Sequence, residues 1–274
     1  MTTTVEEDAA PLARKHVLQD LGWAVTRVDG EMQGAATVVP EMCAPGTDHL
    51  RLSILAAWAD VLAGYLAIYS VGPRVPVTLE LDVHLYEPAP GVGRVHGVAE
   101  AVKIARSVFV ARVAFTTEDG APIGFAGLSF MAAPDKRLTI EIPADGDARL
   151  GEGGRLRVPW AERAGCARTE PGVAVLGHSD EVLNAANTLN GGLLALAVEE
   201  AVLSLSPGAT LSSVALRYLQ PARIGPAVAT AVVHNGLGDI EVRDAGHDNR
   251  LCVVGTSRTF ASASTRRNEA GGSP

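Results

Sequence analysis

One pattern occurs twice in this chain, and the repeat limits the folds open to it. Residues Thr78 to Pro88 (TLELDVHLYEP) lead through alternating segments to GFAGLSF, ending at Phe130; Leu211 to Pro221 (LSSVALRYLQP) lead on to VVGTSRTF, ending at Phe260. Each copy follows a segment apolar on nearly every face, Leu52 to Ile68 and Gly191 to Leu205. Repetition on this scale predicts two similar folded halves. A helix that is apolar all round must be buried, and a meander of antiparallel strands can bury one by laying a sheet face against it. Val77, Leu79, Leu81, Val83 and Leu85 alternate with Thr78, Glu80, Asp82, His84 and Tyr86, giving one face for the helix and one for water or a neighbour. The fold class is therefore α+β, doubled. Two such halves mimic a two-fold dimer, with edge strands joined into one long sheet and the helices side by side.

The remaining elements follow from period and turn chemistry. Leu21 to Val39 reads as a hairpin turning at Asp29-Gly30, followed by a helix from about His49 to Ile68. Strands are predicted at Val77 to Leu85, Arg94 to Ile104, Val108 to Thr117 and Pro122 to Met131. Pro134 to Arg157, rich in Gly, Asp and Arg, reads as a connector with one short strand at Leu138 to Ile142. The second half predicts short strands near Gly172 to Leu176, a helix from about Thr188 and strands after Thr210. The domains are accordingly 15–133 and 158–262, joined by a linker at 134–157; the first residues and the 263–274 tail have the makeup of mobile ends.

A formal net charge of -8 argues against nucleic acid or an anionic membrane as partner and favours a small charged ligand. The N-terminus is acidic where a secretion signal would be basic, and no segment offers about 18 consecutive apolar residues, which predicts a cytoplasmic protein. Cys43, Cys166 and Cys252 are too scattered for a disulfide framework or zinc cluster, and the histidines lack ligand spacing, so neither a metal nor another cofactor is expected. Neither a G-x-S-x-G elbow nor a phosphate-binding P-loop occurs, and GVGRVHG at Gly91 to Gly97 sits at a strand turn without the helix of a dinucleotide fingerprint. The chemistry is sought in the helix carboxylates: Asp60 in the first helix, Glu199 and Glu200 in the second. An ionisable group among apolar residues is costly to desolvate unless paired or put to use.

The run Asn184-Ala-Ala-Asn187-Thr-Leu-Asn190-Gly191-Gly192, with Glu199 on the following helix, resembles the signature of hotdog-fold acyl-CoA thioesterases of the phenylacetyl-CoA and 4-hydroxybenzoyl-CoA type. YLQPAR is similar to that family's next landmark, and ILAAWADVLAG with VTLELDVHLYEPA extends the likeness to the first half in a tandem, double-hotdog form. Asn184 and Glu199 fit the family pattern, whereas Asn190 stands where a His is usual. In the first half Asp60 takes the acid position, but Leu52 and Ser53 replace the glycine pair, with Arg51 in the His position and Pro45 in the Asn position. The resemblance implies composite sites in which glycine end and acid come from different halves. One would join Asn184, Asn190 and Gly191 to Asp60; the other would join Pro45, Arg51 and Leu52 to Glu199, lacking both amide and glycine.

On this reading the chain hydrolyses an acyl-CoA or acyl-carrier thioester. The Gly191 N-H, at a helix N-terminus, receives the charge developing on the carbonyl oxygen, and Gly192 shapes the approach. Asp60 is nucleophile or general base, and Asn184 with Asn190 orients substrate or water. The family's Ser or Thr near the next strand start maps to Thr78, although simple alternation turns Thr78 toward Glu80 and Asp82, so only a bulge or an edge position would bring it to Asp60. Arg106, at a strand turn, is the candidate for CoA phosphates, with Arg74, Arg217 and Arg223 behind it. Asn190 serves equally well as a plain helix cap. Competing readings are an acyl-ligand binding protein without turnover and, less favoured, a hotdog dehydratase or hydratase. A homo-oligomer of pseudo-dimers is compatible with the pattern.

Overall fold

The computed structural model describes residues 16–141 and 155–260. Leu52–Val71 (α1) is an unbroken helix that stops where Gly72-Pro73 can no longer continue it. By length and composition α1 could cross a membrane, but 61% of its most apolar window lies buried within the fold. Around it run Ala24–Val28 (β1), Glu31–Thr37 (β2), Pro76–Leu85 (β3), Arg94–Ile104 (β4), Phe109–Thr117 (β5) and Pro122–Ala132 (β6). The second half contributes a short helix Trp160–Arg163 (α2), strands Cys166–Glu170 (β7) and Val173–Leu176 (β8), and the helix Gly191–Leu205 (α3). Leu211–Tyr218 (β9), Ala227–His234 (β10), Leu237–Asp244 (β11) and Arg250–Thr259 (β12) complete it.

The strands form one antiparallel sheet in the order β1-β2-β4-β5-β6-β3-β9-β12-β11-β10-β8-β7, so the two halves meet at β3 and β9. That seam is registered by Leu81 opposite Leu216 and Val83 opposite Val214, all buried. On the other face Arg217 reaches Asp82 at 2.5 Å and Glu80 at 3.3 Å, a cross-strand pairing that fixes the register where two otherwise interchangeable edges join. The sheet wraps both helices, and Trp58, Leu62 and Phe115 lie beneath it at no more than 1% exposure. Burial of each such side chain stabilises the fold by roughly 1.5–3 kcal/mol.

The helices cross as closely as backbone permits. A Cβ on Gly192 would stand 2.7 Å from Ala57 Cα, so this glycine sets the distance between α3 and α1. Both helices begin later than the periodicity predicts, α1 at Leu52 rather than about His49 and α3 at Gly191 rather than about Thr188. The cause is the same in each half: Leu50 bridges to Cys43 and Leu189 to Leu183, holding the approach to the helix extended. The expected strand at Leu138 to Ile142 reduces to a single bridge, Arg74 to Thr139, with Ile142 outside the described residues. Most of the linker, the N-terminal fifteen residues and the 263–274 tail also lie outside the described residues.

Asp244, fully buried, organises the loop after β9. Its Oδ2 accepts the Arg223 and Ile224 N-H groups at 2.8 and 3.0 Å, and its Oδ1 accepts the Gly225 N-H at 2.7 Å. Burial alone would raise its pKa, but the three amides outweigh it and hold the carboxyl below the ordinary carboxylate value. A depressed folded pKa adds stability above the unfolded value that is lost as pH falls through the folded one. Asp244→Asn is therefore expected to cost about 1–3 kcal/mol at neutral pH. Urea titrations across acid pH should show the gap between wild type and variant closing as pH falls; a constant gap would contradict the charge-based account.

Candidate active site

The centre is built where the middle of α1 meets the first turn of α3. Asn190 caps α3: its Oδ1 accepts the Gly192 N-H at 2.9 Å and the Leu193 N-H at 3.3 Å. No described residue takes the Gly191 N-H, which stays available at the positive end of the helix. The Gly191 carbonyl accepts the Tyr218 hydroxyl at 2.8 Å. A Cβ on Gly191 would lie 3.4 Å from Asp60 Oδ2 and 3.3 Å from the Tyr218 oxygen, so the bare glycine leaves the carboxylate and the helix end in direct apposition. The Asp60 of one half thus faces the glycine turn of the other.

Asp60 keeps some accessible surface only because it borders a cavity. Burial among apolar neighbours pushes its pKa up, while a hydrogen bond donated by Thr78 Oγ1 at 2.8 Å and the Gly192 N-H pull it back, leaving it at about 6. Thr78 reaches Asp60 through a bulge. Thr78 pairs with Phe130 and Glu80 with Ser129, so Leu79 is the extra residue and the alternation reverses between them. Burial, then the nearby Asp60 charge, pushes the Tyr218 hydroxyl well above the ordinary phenol value, keeping it a donor.

The cavity measures about 280 Å³, at the lower end of the ~300–1,000 Å³ usual for ligand sites. Its lining includes the polar Asn184, Asn190, His16 and Gln19 and the apolar Val61, Tyr65, Ile68, Val75 and Val77, and Trp23 stacks on Trp58 at 4.4 Å as part of the wall. Asn184 itself is held by its loop, its Oδ1 accepting the Ala186 and Thr188 N-H groups and the Thr188 hydroxyl. The N-terminal turn Val17–Leu21 closes one side. Arg163 of α2 pins it, binding Asp20 at 2.6 Å and Glu181, just before Asn184, at 3.0 Å. Burial lowers the His16 pKa, and the neutral ring accepts the Leu18 N-H at 3.2 Å.

Arg106 does not line this cavity. It is exposed at the turn between β4 and β5, while Arg217 is taken by Asp82 and Glu80, Arg74 by the Ala133 carbonyl, and Arg223 reaches the Ala186 carbonyl at 3.4 Å. Tyr218, His16, Gln19 and the Trp23–Trp58 stack were not singled out by sequence. Tyr218 carries a readable signal, because aligning Pro88 with Pro221 sets it against Leu85, a departure confined to one copy.

Residues 53–123, which include Asp60 and Thr78, match the family model of the thioesterase superfamily. Solved structures similar to this chain include an acyl-ACP thioesterase from Bacteroides thetaiotaomicron, 13% identical, covering 85% of this chain and 98% of that one with a TM-score of 0.59. The 12:0-ACP thioesterase from Umbellularia californica, 10% identical, covers 86% and 99% at 0.60. A tesB protein of Mycobacterium avium subs paratuberculosis, 14% identical, covers 89% and 97% at 0.56. No curated protein matches the sequence. The chain has a hotdog fold.

Within this hotdog fold the counterpart of the Asp60 centre is filled. Glu199 Oε1 accepts the Leu52 N-H at 2.9 Å, and its Oε2 accepts the Ser53 hydroxyl at 2.6 Å and Arg51 Nη1 at 3.3 Å. The same Arg51 nitrogen binds Glu200 at 2.5 Å, and Arg168 binds Glu200 at 2.5 Å from the other side. Arg51, Glu199 and Glu200 are 2%, 1% and 4% exposed. Glu199 is therefore a buried, fully paired acid with a guanidinium where its counterpart has open cavity.

Proposed function

We propose that the protein hydrolyses an acyl thioester carried on CoA or a carrier protein, at one composite site per chain between two hotdog domains, 15–133 and 158–262, joined by the linker 134–157. The observation that carries this reading is the Asp60 carboxylate, bordering a mostly apolar cavity, set against the Gly191 turn, whose N-H no described residue takes. The thioesterase superfamily match over 53–123 supports it, and so do the solved neighbours named as acyl-ACP thioesterases.

The thioester carbonyl oxygen sits at the Gly191 N-H, where the α3 dipole and the amide stabilise developing negative charge. Asp60, ionised above about pH 6, takes a proton from a water as the water oxygen attacks the carbonyl carbon. The tetrahedral intermediate collapses with cleavage of the C–S bond, and the proton on Asp60 passes to the departing thiolate, giving acid and thiol. Thr78 holds the Asp60 carboxylate, and Tyr218 holds the Gly191 peptide in position. Asn184 and Asn190 line the same cavity, where they meet the substrate's own polar groups.

The test is steady-state release of free thiol from a panel of acyl-CoA and acyl-carrier thioesters. Wild type is expected to turn over at least one of them. If none is hydrolysed yet acyl thioesters raise the melting temperature, the cavity is a binding site without turnover.

A further inference from the structure

Gly64 stands in the middle of α1, one turn beyond Asp60, where glycine is among the poorest residues a helix can carry. Gly192 shows the usual reason for such a residue, since a Cβ there would strike the other helix. Gly64 has no such reason: a Cβ built on it meets nothing within 4 Å, and its φ is negative like its neighbours'. What it borders instead is the cavity, together with Val61, Tyr65 and Ile68. The other half supplies a contrast. Four residues after Glu199, where Gly64 follows Asp60, stands Leu203, 3% exposed and packed in the core. The open position thus accompanies the half whose acid faces a glycine amide, and the filled one accompanies the half plugged by Arg51.

We propose, resting on the thioesterase reading, that the acyl chain of the substrate runs from Asp60 along α1 across the bare backbone of Gly64, making Gly64 a specificity-determining residue for apolar acyl groups of medium length or longer. Asp60 and Gly64 are separated by about 6 Å along the helix axis. An extended chain covers that distance with about five carbons, so acetyl and propionyl groups end short of Gly64 while octanoyl passes it. The lining shared with Gly64 is largely apolar and includes Tyr65, Ile68, Val75 and Val77.

The test compares Gly64→Ala and Gly64→Leu with wild type in two measurements. In hydrolysis, the ratio of kcat/KM for octanoyl-CoA to that for acetyl-CoA is expected to fall, about tenfold or more for Gly64→Leu. In binding, non-hydrolysable S-octyl-CoA should protect wild type against heat more than S-ethyl-CoA, and the variants should lose that difference. Gly64→Ala should itself melt as high as wild type or a few degrees higher, because alanine favours the helix and space awaits its methyl group. An unchanged octanoyl-to-acetyl ratio, or a lower melting temperature for Gly64→Ala, overturns the proposal. If wild type hydrolyses nothing but the chain-length dependence of thioether binding is present and abolished by Gly64→Leu, hydrolysis fails and the assignment of Gly64 stands. Should Gly64→Leu not fold, Gly64→Ala decides by the same two measurements.

Discussion

An Asp60→Asn variant is expected to lose thioester hydrolysis by about 10²–10⁴-fold and at the same time to unfold at a higher temperature than wild type at neutral pH. Both effects come from one carboxylate. Burial raises its pKa from 3.8 to about 6 against the pull of Thr78 and the Gly192 N-H, so the folded protein prefers the protonated form. A raised folded pKa means that this stability is present below the unfolded value and is lost as pH rises through about 6. The difference between 3.8 and about 6 is roughly two units, up to about 3 kcal/mol at ~1.4 kcal/mol per unit, and the partial exposure of Asp60 at the cavity makes the span about 1–3 kcal/mol. Asparagine carries no charge to desolvate, so the variant should gain that amount above pH 7 and little at pH 4. Wild-type kcat/KM should rise with pH and level off above about 6, since the base acts only when ionised. Melting curves and initial rates across pH read both quantities on the same samples. Retained hydrolysis in the variant, or a lower melting temperature at neutral pH, removes Asp60 from the mechanism.

The elements that a local pattern can encode were legible in the chain. Alternation in Val77 to Leu85 gives β3, the all-apolar runs give α1 and α3, and their repetition gives two halves sharing one sheet. The acid also stood out locally, because a single Asp among Ala57, Trp58, Ala59, Val61 and Leu62 has no partner within its own helix. What surrounds it depends on distant contacts that periodicity does not carry. Thr78 reaches Asp60 only through the bulge at Leu79, which nothing in TLELDVHL announces. The turn Val17–Leu21 closes the cavity because Arg163, more than a hundred residues later, holds Asp20. The length of a cavity wall and the emptiness at Gly64 are three-dimensional facts, for a glycine in sequence reads the same whether it meets a backbone, as Gly192 does, or open space.

Arg51→Met is expected to be the most destabilising single change near the two helix starts, by about 3–5 kcal/mol, because it leaves two buried carboxylates without their shared cation. Arg168 would still reach Glu200, but Glu199 would keep only the Leu52 N-H and the Ser53 hydroxyl, which is too little for a charge at 1% exposure. The cost belongs to the stranded charges rather than to the loss of a favourable pair. Neutralising both acids in the same molecule, with Arg51→Met, Glu199→Gln and Glu200→Gln together, should therefore recover most of the stability, as buried ion pairs replaced by neutral groups of similar volume commonly do. Denaturant midpoints of the single and triple variants measure this directly. If the triple variant is no more stable than Arg51→Met alone, the network contributes through geometry and not through compensated charge. Thiol release separates the two helix acids. Glu199→Gln should leave kcat within a few-fold of wild type, because Glu199 faces a guanidinium and not a cavity, whereas Asp60→Asn should not. Equal losses from the two substitutions would mean that the plugged half also turns over substrate, and that Arg51 must move aside for it to do so.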